Sequence, residues 1–81
     1  MSEFYNCNFK VGDIIIGIEP NQPFTFLKIF RIIGFSTHEE YGRTLVDFAE
    51  VEYPTDDGVD TTDIGVSALN HYYRRIVVEE V

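Results

Sequence analysis

The stretch Phe24-Thr-Phe-Leu-Lys-Ile-Phe-Arg-Ile-Ile-Gly-Phe-Ser-Thr37 decides the fold, because it satisfies two periodicities at once. Phe26, Ile29, Phe30 and Ile33 recur at helical spacing. Asn21 and Gly34 stand where a cap and a terminator of such a helix belong. On the other side, Phe24, Phe26, Phe30 and Ile32 share one face of a strand, and the segment holds neither Ala nor Glu. Aromatic and β-branched residues fit a pleated surface better than a helix. The expectation is a long, twisted strand over 24–37, partly buried on both faces. A helix from Phe24 to Ile33 would replace a barrel by a helix packed on a sheet.

Working outward, Asp13-Ile-Ile-Ile-Gly-Ile18 is β-branched and too short for a helix, so it reads as a strand entered through a turn at Gly12-Asp13. Between the two strands, Glu19 to Pro23 reads as a loop with two prolines. His38 to Arg43 reads as a polar turn around Gly42. In the next strand, Thr44 to Tyr53, Val46 and Phe48 have one parity and Val51 and Tyr53 the other. One extra residue near Ala49 or Glu50 would put all four on the core side, which predicts a β-bulge there. Pro54 to Asp63 reads as a long acidic loop and Ile64 to Val66 as a short strand. Ser67 is placed as the cap of one helical turn through His71. A final strand is expected over Arg75 to Val78, and the core is expected to hold Ile14, Ile16, Phe30, Ile32, Val46, Phe48, Val51 and Val77.

Eighty-one residues make a single domain over 1–81, with its core in about residues 9–79 and an N-terminal extension over 1–8. The pattern Phe9-Lys-Val-Gly-Asp13, the proline-containing loop and the short turn between Val66 and Ile76 resemble the Src-homology-3-like small barrels. The resemblance implies an all-β, five-stranded barrel with a helical turn before the last strand. Members that grip proline-rich peptides use a tryptophan and an acidic first loop, whereas this chain has no Trp and only Glu19 there. Members that hold RNA are usually basic. Fold alone does not give a function.

Charge is the stronger guide to function. Fourteen acids against six basic residues give a formal net charge of −8, and seven of the acids fall in residues 51–81 against Arg74 and Arg75. A general nucleic-acid binder needs the opposite balance to displace counterions from phosphates. Direct nucleic-acid contact is therefore not expected. Cys7 stands alone, which leaves no internal disulfide and no cysteine-built zinc site and suits a cytoplasmic setting. No basic leader or run of about 18 apolar residues addresses a membrane.

Chemistry-bearing motifs are sparse. His38 and His71 fall in different loops without a Gly-x-Ser-x-Gly elbow, so no catalytic residue is assigned. Asp56, Asp57, Asp60 and Asp63 around Gly58 suggest calcium, but Ser67 stands where an EF-hand counted from Asp56 needs Glu. The glycines are too dispersed for a phosphate cradle. No metal or cofactor is expected.

Two readings remain. The first is a non-enzymatic acidic protein that docks on a basic surface of another protein through Glu39, Glu40, Glu50, Glu52, Asp56, Asp57, Asp60 and Asp63. A phage or mobile-element inhibitor of a nucleic-acid-handling host or defence protein is its favoured form, with a structural accessory of a particle or complex behind it. The second is a binder of a nucleotide or signal molecule at a subunit interface, using Tyr41, Arg43, Tyr72, Arg74 and Arg75, and it implies a homo-oligomer.

Overall fold

The computed structural model describes residues 4–76 and is all-β apart from one short helix. The elements are β1 (Ile14–Gly17), β2 (Ile29–Glu40), β3 (Arg43–Thr55), β4 (Gly58–Gly65), α1 (Val66–Tyr72) and β5 (Tyr73–Ile76). The strands form one antiparallel sheet in the order β4-β3-β2-β1-β5. The sheet is open, with β4 and β5 as its edges among the described residues. The helix precedes the last strand, as expected, and packs on β3, β4 and β5.

The ambiguous segment divides. From Ile29 to Thr37 it is the expected strand, which runs on to Glu40 through residues expected to form a turn, while residues 24–28 fold back across β1. Gly17 makes this possible. A Cβ there would sit 2.0 Å from the Thr25 carbonyl oxygen, so only glycine lets the loop backbone cross so closely. The loop is pinned by hydrogen bonds from Gly17 N to Lys28 O and from Leu27 N to Gly17 O. Phe24 and Phe26 therefore leave the strand face to which their spacing assigned them.

The same crossing sets the phase of β1. Asp13, Ile15 and Gly17 point inward and are buried, and Ile14 and Ile16 are only half-buried, the reverse of the expected phase. Three consecutive isoleucines carry no period-2 signal, so packing against the loop decided it. The β3 register also slips, but earlier than expected. Thr37 faces Val46 and Ser36 faces Phe48, which leaves Asp47 as the extra residue. A second irregularity on β2 leaves out Ile33, between the pairs Ile32–Val51 and Gly34–Glu50. The slip puts Val46, Ala49 and Val51 in the core and turns Phe48 outward.

The segment expected to be a long acidic loop is instead a β-ribbon. β3 continues through Pro54 to Thr55, the turn is Asp56-Asp57, and β4 returns from Gly58. Pro54 is accepted there because β2 pairs with β3 only as far as Glu52, so its missing N–H leaves no gap on that side. At the other end, Tyr41 and Gly42 both have positive φ and close β2 onto β3 as the two-residue turn that matches strand twist.

The core comprises Cys7, Ile15, Phe30, Ile32, Val46, Ala49, Val51, Ile64, Leu69 and Tyr73. Cys7 brings the N-terminal stretch into it, although residues 1–8 were expected to be an extension. Asn6 fastens that stretch, accepting from Val46 N at 2.8 Å and donating to Val46 O at 3.0 Å. Helix α1 is capped at Gly65 without a side-chain hydrogen bond, so Ser67 is not its cap. Its carbonyl instead accepts from His71 Nδ1 at 2.7 Å. Val77 and Val78 lie outside the described residues.

Candidate functional site

The eight acidic candidates do not form one patch. Side chains directly opposite in antiparallel strands share a face. Glu50 lies opposite Asp63, and Glu52 opposite Thr61, on the sheet face turned away from the core. Glu52 reaches Arg31 at 3.5 Å. Glu50 and Asp63 have no cation partner among the described residues, so two like charges meet across the ribbon. Asp56 and Asp57 are exposed in the turn at the ribbon tip. Asp60 is opposite Tyr53, on the other face. Glu39 and Glu40 end β2, opposite Thr44 and Arg43 at the start of β3, about 40 Å from the tip at ~3.3 Å per residue.

Near that far end, His38 Nδ1 lies 2.7 Å from Asp47, the bulged residue, and Nε2 lies 3.5 Å from Glu40. The hydrogen bond to Asp47 holds the His38 pKa above its ordinary value, and Glu40 adds to the shift. The bulge thus aims a carboxylate at a histidine that plain alternation would have missed.

The basic candidates separate into structural and available groups. Arg75 Nε donates to Asp13 Oδ2 at 2.8 Å, and the same guanidinium donates to the Asn8 carbonyl and lies over the Phe9 ring. Asp13 is 7% exposed and its Oδ2 also accepts from Lys10 N, so Arg75 neutralises a buried carboxylate. Arg74 lines a polar cleft with Tyr5, Asn6 and Asn70, and Arg43 stacks on Tyr5, 4.2 Å from the ring centroid. Tyr41 is 93% exposed at the β2–β3 turn, and Tyr72 is not part of that cleft. Of the five, Arg43 and Arg74 both neighbour Tyr5 and form no ion pair among the described residues.

A different feature was missed by sequence reasoning. A cleft of about 860 Å³ opens between the loop that crosses Gly17 and the β3–β4 ribbon. Its floor is aromatic: Phe30 meets Tyr53 and Tyr73 edge-on, with centroids 5.6 Å and 5.8 Å apart. Pro23, Phe24 and Leu27 form one wall, and Pro54, Thr62, Asp63 and Ile64 form the other. Phe24 is 91% exposed and Leu27 63%, and Leu27 adopts a positive φ of 61°. A bulky side chain held in that conformation and left in water is uncommon. Phe24 and Leu27 were its sequence signal, hidden by their assignment to a strand, while Pro23 and Pro54 were read as parts of two separate loops.

Among the described residues no three His, Cys, Asp or Glu side chains converge to hold a metal. Among the same residues no helix is long and apolar enough to cross a membrane. No protein-family model matches this chain, and no curated protein or solved structure matches it either.

Proposed function

We propose that this chain is a non-enzymatic binding module whose acidic β3–β4 ribbon docks on a basic surface of another protein. The observation that carries the proposal is the opposition of Glu50 and Asp63. Like charges directly opposite in a ribbon cost stability, and among the described residues no cation is paired with either. A cationic partner surface would remove that cost on binding. Size and charge favour an inhibitor that takes the place of nucleic acid on its partner, in a cytoplasmic, phage or mobile-element setting. We further read the strand order, with its helix before β5, as a Src-homology-3-like small barrel left open beside β4.

Exposed charges act mainly on encounter and are screened beyond about 8 Å at physiological salt. The test is affinity capture from a bacterial lysate at low and high salt, followed by association kinetics with the captured protein. Replacing Glu50, Asp56, Asp57 and Asp63 by their amides should slow association about tenfold and leave dissociation nearly unchanged. Capture indifferent to salt and to these changes, but abolished by Arg43→Ala with Arg74→Ala, overturns the proposal in favour of an anion site.

A further inference from the structure

We propose that the aromatic cleft is a peptide groove, and that an extended segment of the partner, alternating basic and aliphatic residues, adds to β4 as a sixth strand. The inference rests on the docking role of the ribbon and specifies how the partner is held.

Three observations converge on this occupant. Among the described residues β4 is an edge strand, so alternate residues along it leave N–H and C=O groups pointing away from β3. Thr62, Asp63 and Ile64 are consecutive and all border the cleft, so the backbone edge of β4, and not just one of its faces, is open to it. The exposed Phe24 and Leu27 stand across the cleft from that edge, leaving a channel with main-chain partners on one side and apolar surface on the other. Added strands use this arrangement, with main-chain bonds supplying affinity and alternate side-chain sites supplying specificity.

The two faces of β4 set the period of the guest. On the core side its rows run through Ile64, Thr62 and Asp60, beside the aromatic floor, where an apolar guest side chain is buried. On the outer side they run through Asp63 and Thr61, next to Glu50 and Glu52, where Lys or Arg is favoured. The guest therefore reads basic, apolar, basic, apolar. Lys28, on the loop side, is the only cation among the described residues that line the cleft.

The test titrates the full chain, labelled with nitrogen-15, with the heptapeptide Lys-Val-Arg-Ile-Lys-Val-Arg. Comparison peptides are its analogue N-methylated at alternate amides and the block isomer Lys-Lys-Arg-Arg-Val-Val-Ile. Binding should slow amide exchange along β4 at least tenfold, and N-methylation should weaken it at least tenfold in the register that meets β4. Phe24→Ala with Leu27→Gly should weaken it at least fivefold. Both residues are exposed and glycine suits the positive φ at 27, so the fold is retained. If alternating, block and N-methylated peptides bind alike, with shifts confined to Glu50, Glu52 and Asp63, strand addition is overturned while charge docking stands. If none binds at low salt, both fall. If β4 amides are already protected without peptide and the chain sediments as a dimer, the groove belongs to a second copy and the peptide assignment is overturned.

Discussion

Asp13, just before β1, and the pair Glu50 and Asp63 on β3 and β4 are carboxylates with opposite circumstances. Asp13 is buried, accepts from a backbone N–H and a guanidinium, and ties β5 to the entrance of β1. Glu50 and Asp63 face each other across the ribbon without a cation between them among the described residues. The difference shows two uses of the same chemical group. At the β1–β5 end charge is consumed in holding the chain together, and at Glu50 and Asp63 on the β3–β4 ribbon it has no cation partner among the described residues, which is where the proposed docking would use it.

The contrast can be broken most forcefully at Gly17. Gly17→Ala drives a methyl group into the Thr25 carbonyl, so the loop must move and the β1 end should lose about 3 kcal/mol in denaturant unfolding. A loss under ~0.5 kcal/mol would mean that the loop does not cross β1 as described. Next comes Arg75→Ala, which strips the buried Asp13 of its guanidinium while leaving the Lys10 amide. The expected cost is about 2 kcal/mol, below that of a fully buried pair because Arg75 is partly exposed. An unchanged midpoint would remove Asp13 from the structural class.

The ribbon should respond with the opposite sign. Glu50→Thr relieves the repulsion with Asp63 and suits a strand, so stability should rise by about 0.5 kcal/mol at low salt and the gain should shrink at high salt. A loss of stability would show that Glu50 already has a favourable partner and would sharpen the contrast away. The smallest effect belongs to His38, whose folded pKa is raised by Asp47. A raised folded pKa gives stability that is present below the unfolded value of about 6.5 and is lost as pH rises through the folded value. Proton NMR should place the His38 midpoint above 6.5, and Asp47→Asn should lower it. Identical titrations in the two proteins would detach the bulge from the histidine.

Some of this was readable without coordinates, and the failures have physical causes. Composition was enough for an all-β chain, and parity along Thr44 to Tyr53 demanded a bulge because Val46 and Val51 cannot otherwise share a face. Its position was not readable. Alternation reports that a residue is inserted between two buried positions and cannot say which one, and packing favoured the small Ala49 over Phe48. The ribbon was mistaken for a loop because its aspartates outweighed the threonines and Val59, although the threonines and Val59 suit a strand and the glycine follows a tight turn. Of the candidate site, the ribbon acids were legible as charges. The cleft was not, since its walls come from residues 23–28 and 53–64, separated along the chain.

The sequence by itself determined the strand-rich character, the acidic surface and the helical turn before the last strand, because these follow from side-chain propensity and from charge counted residue by residue. Tertiary structure decided the inward phase of the isoleucine run, the division of the eight acids between two faces and two ends, the capture of Arg75 by Asp13, and the cleft. Each depends on which backbone lies beside which. Gly17 is the clearest case: nothing in its neighbours announces that a loop eight residues later must pass within bonding distance of the place where a side chain would stand.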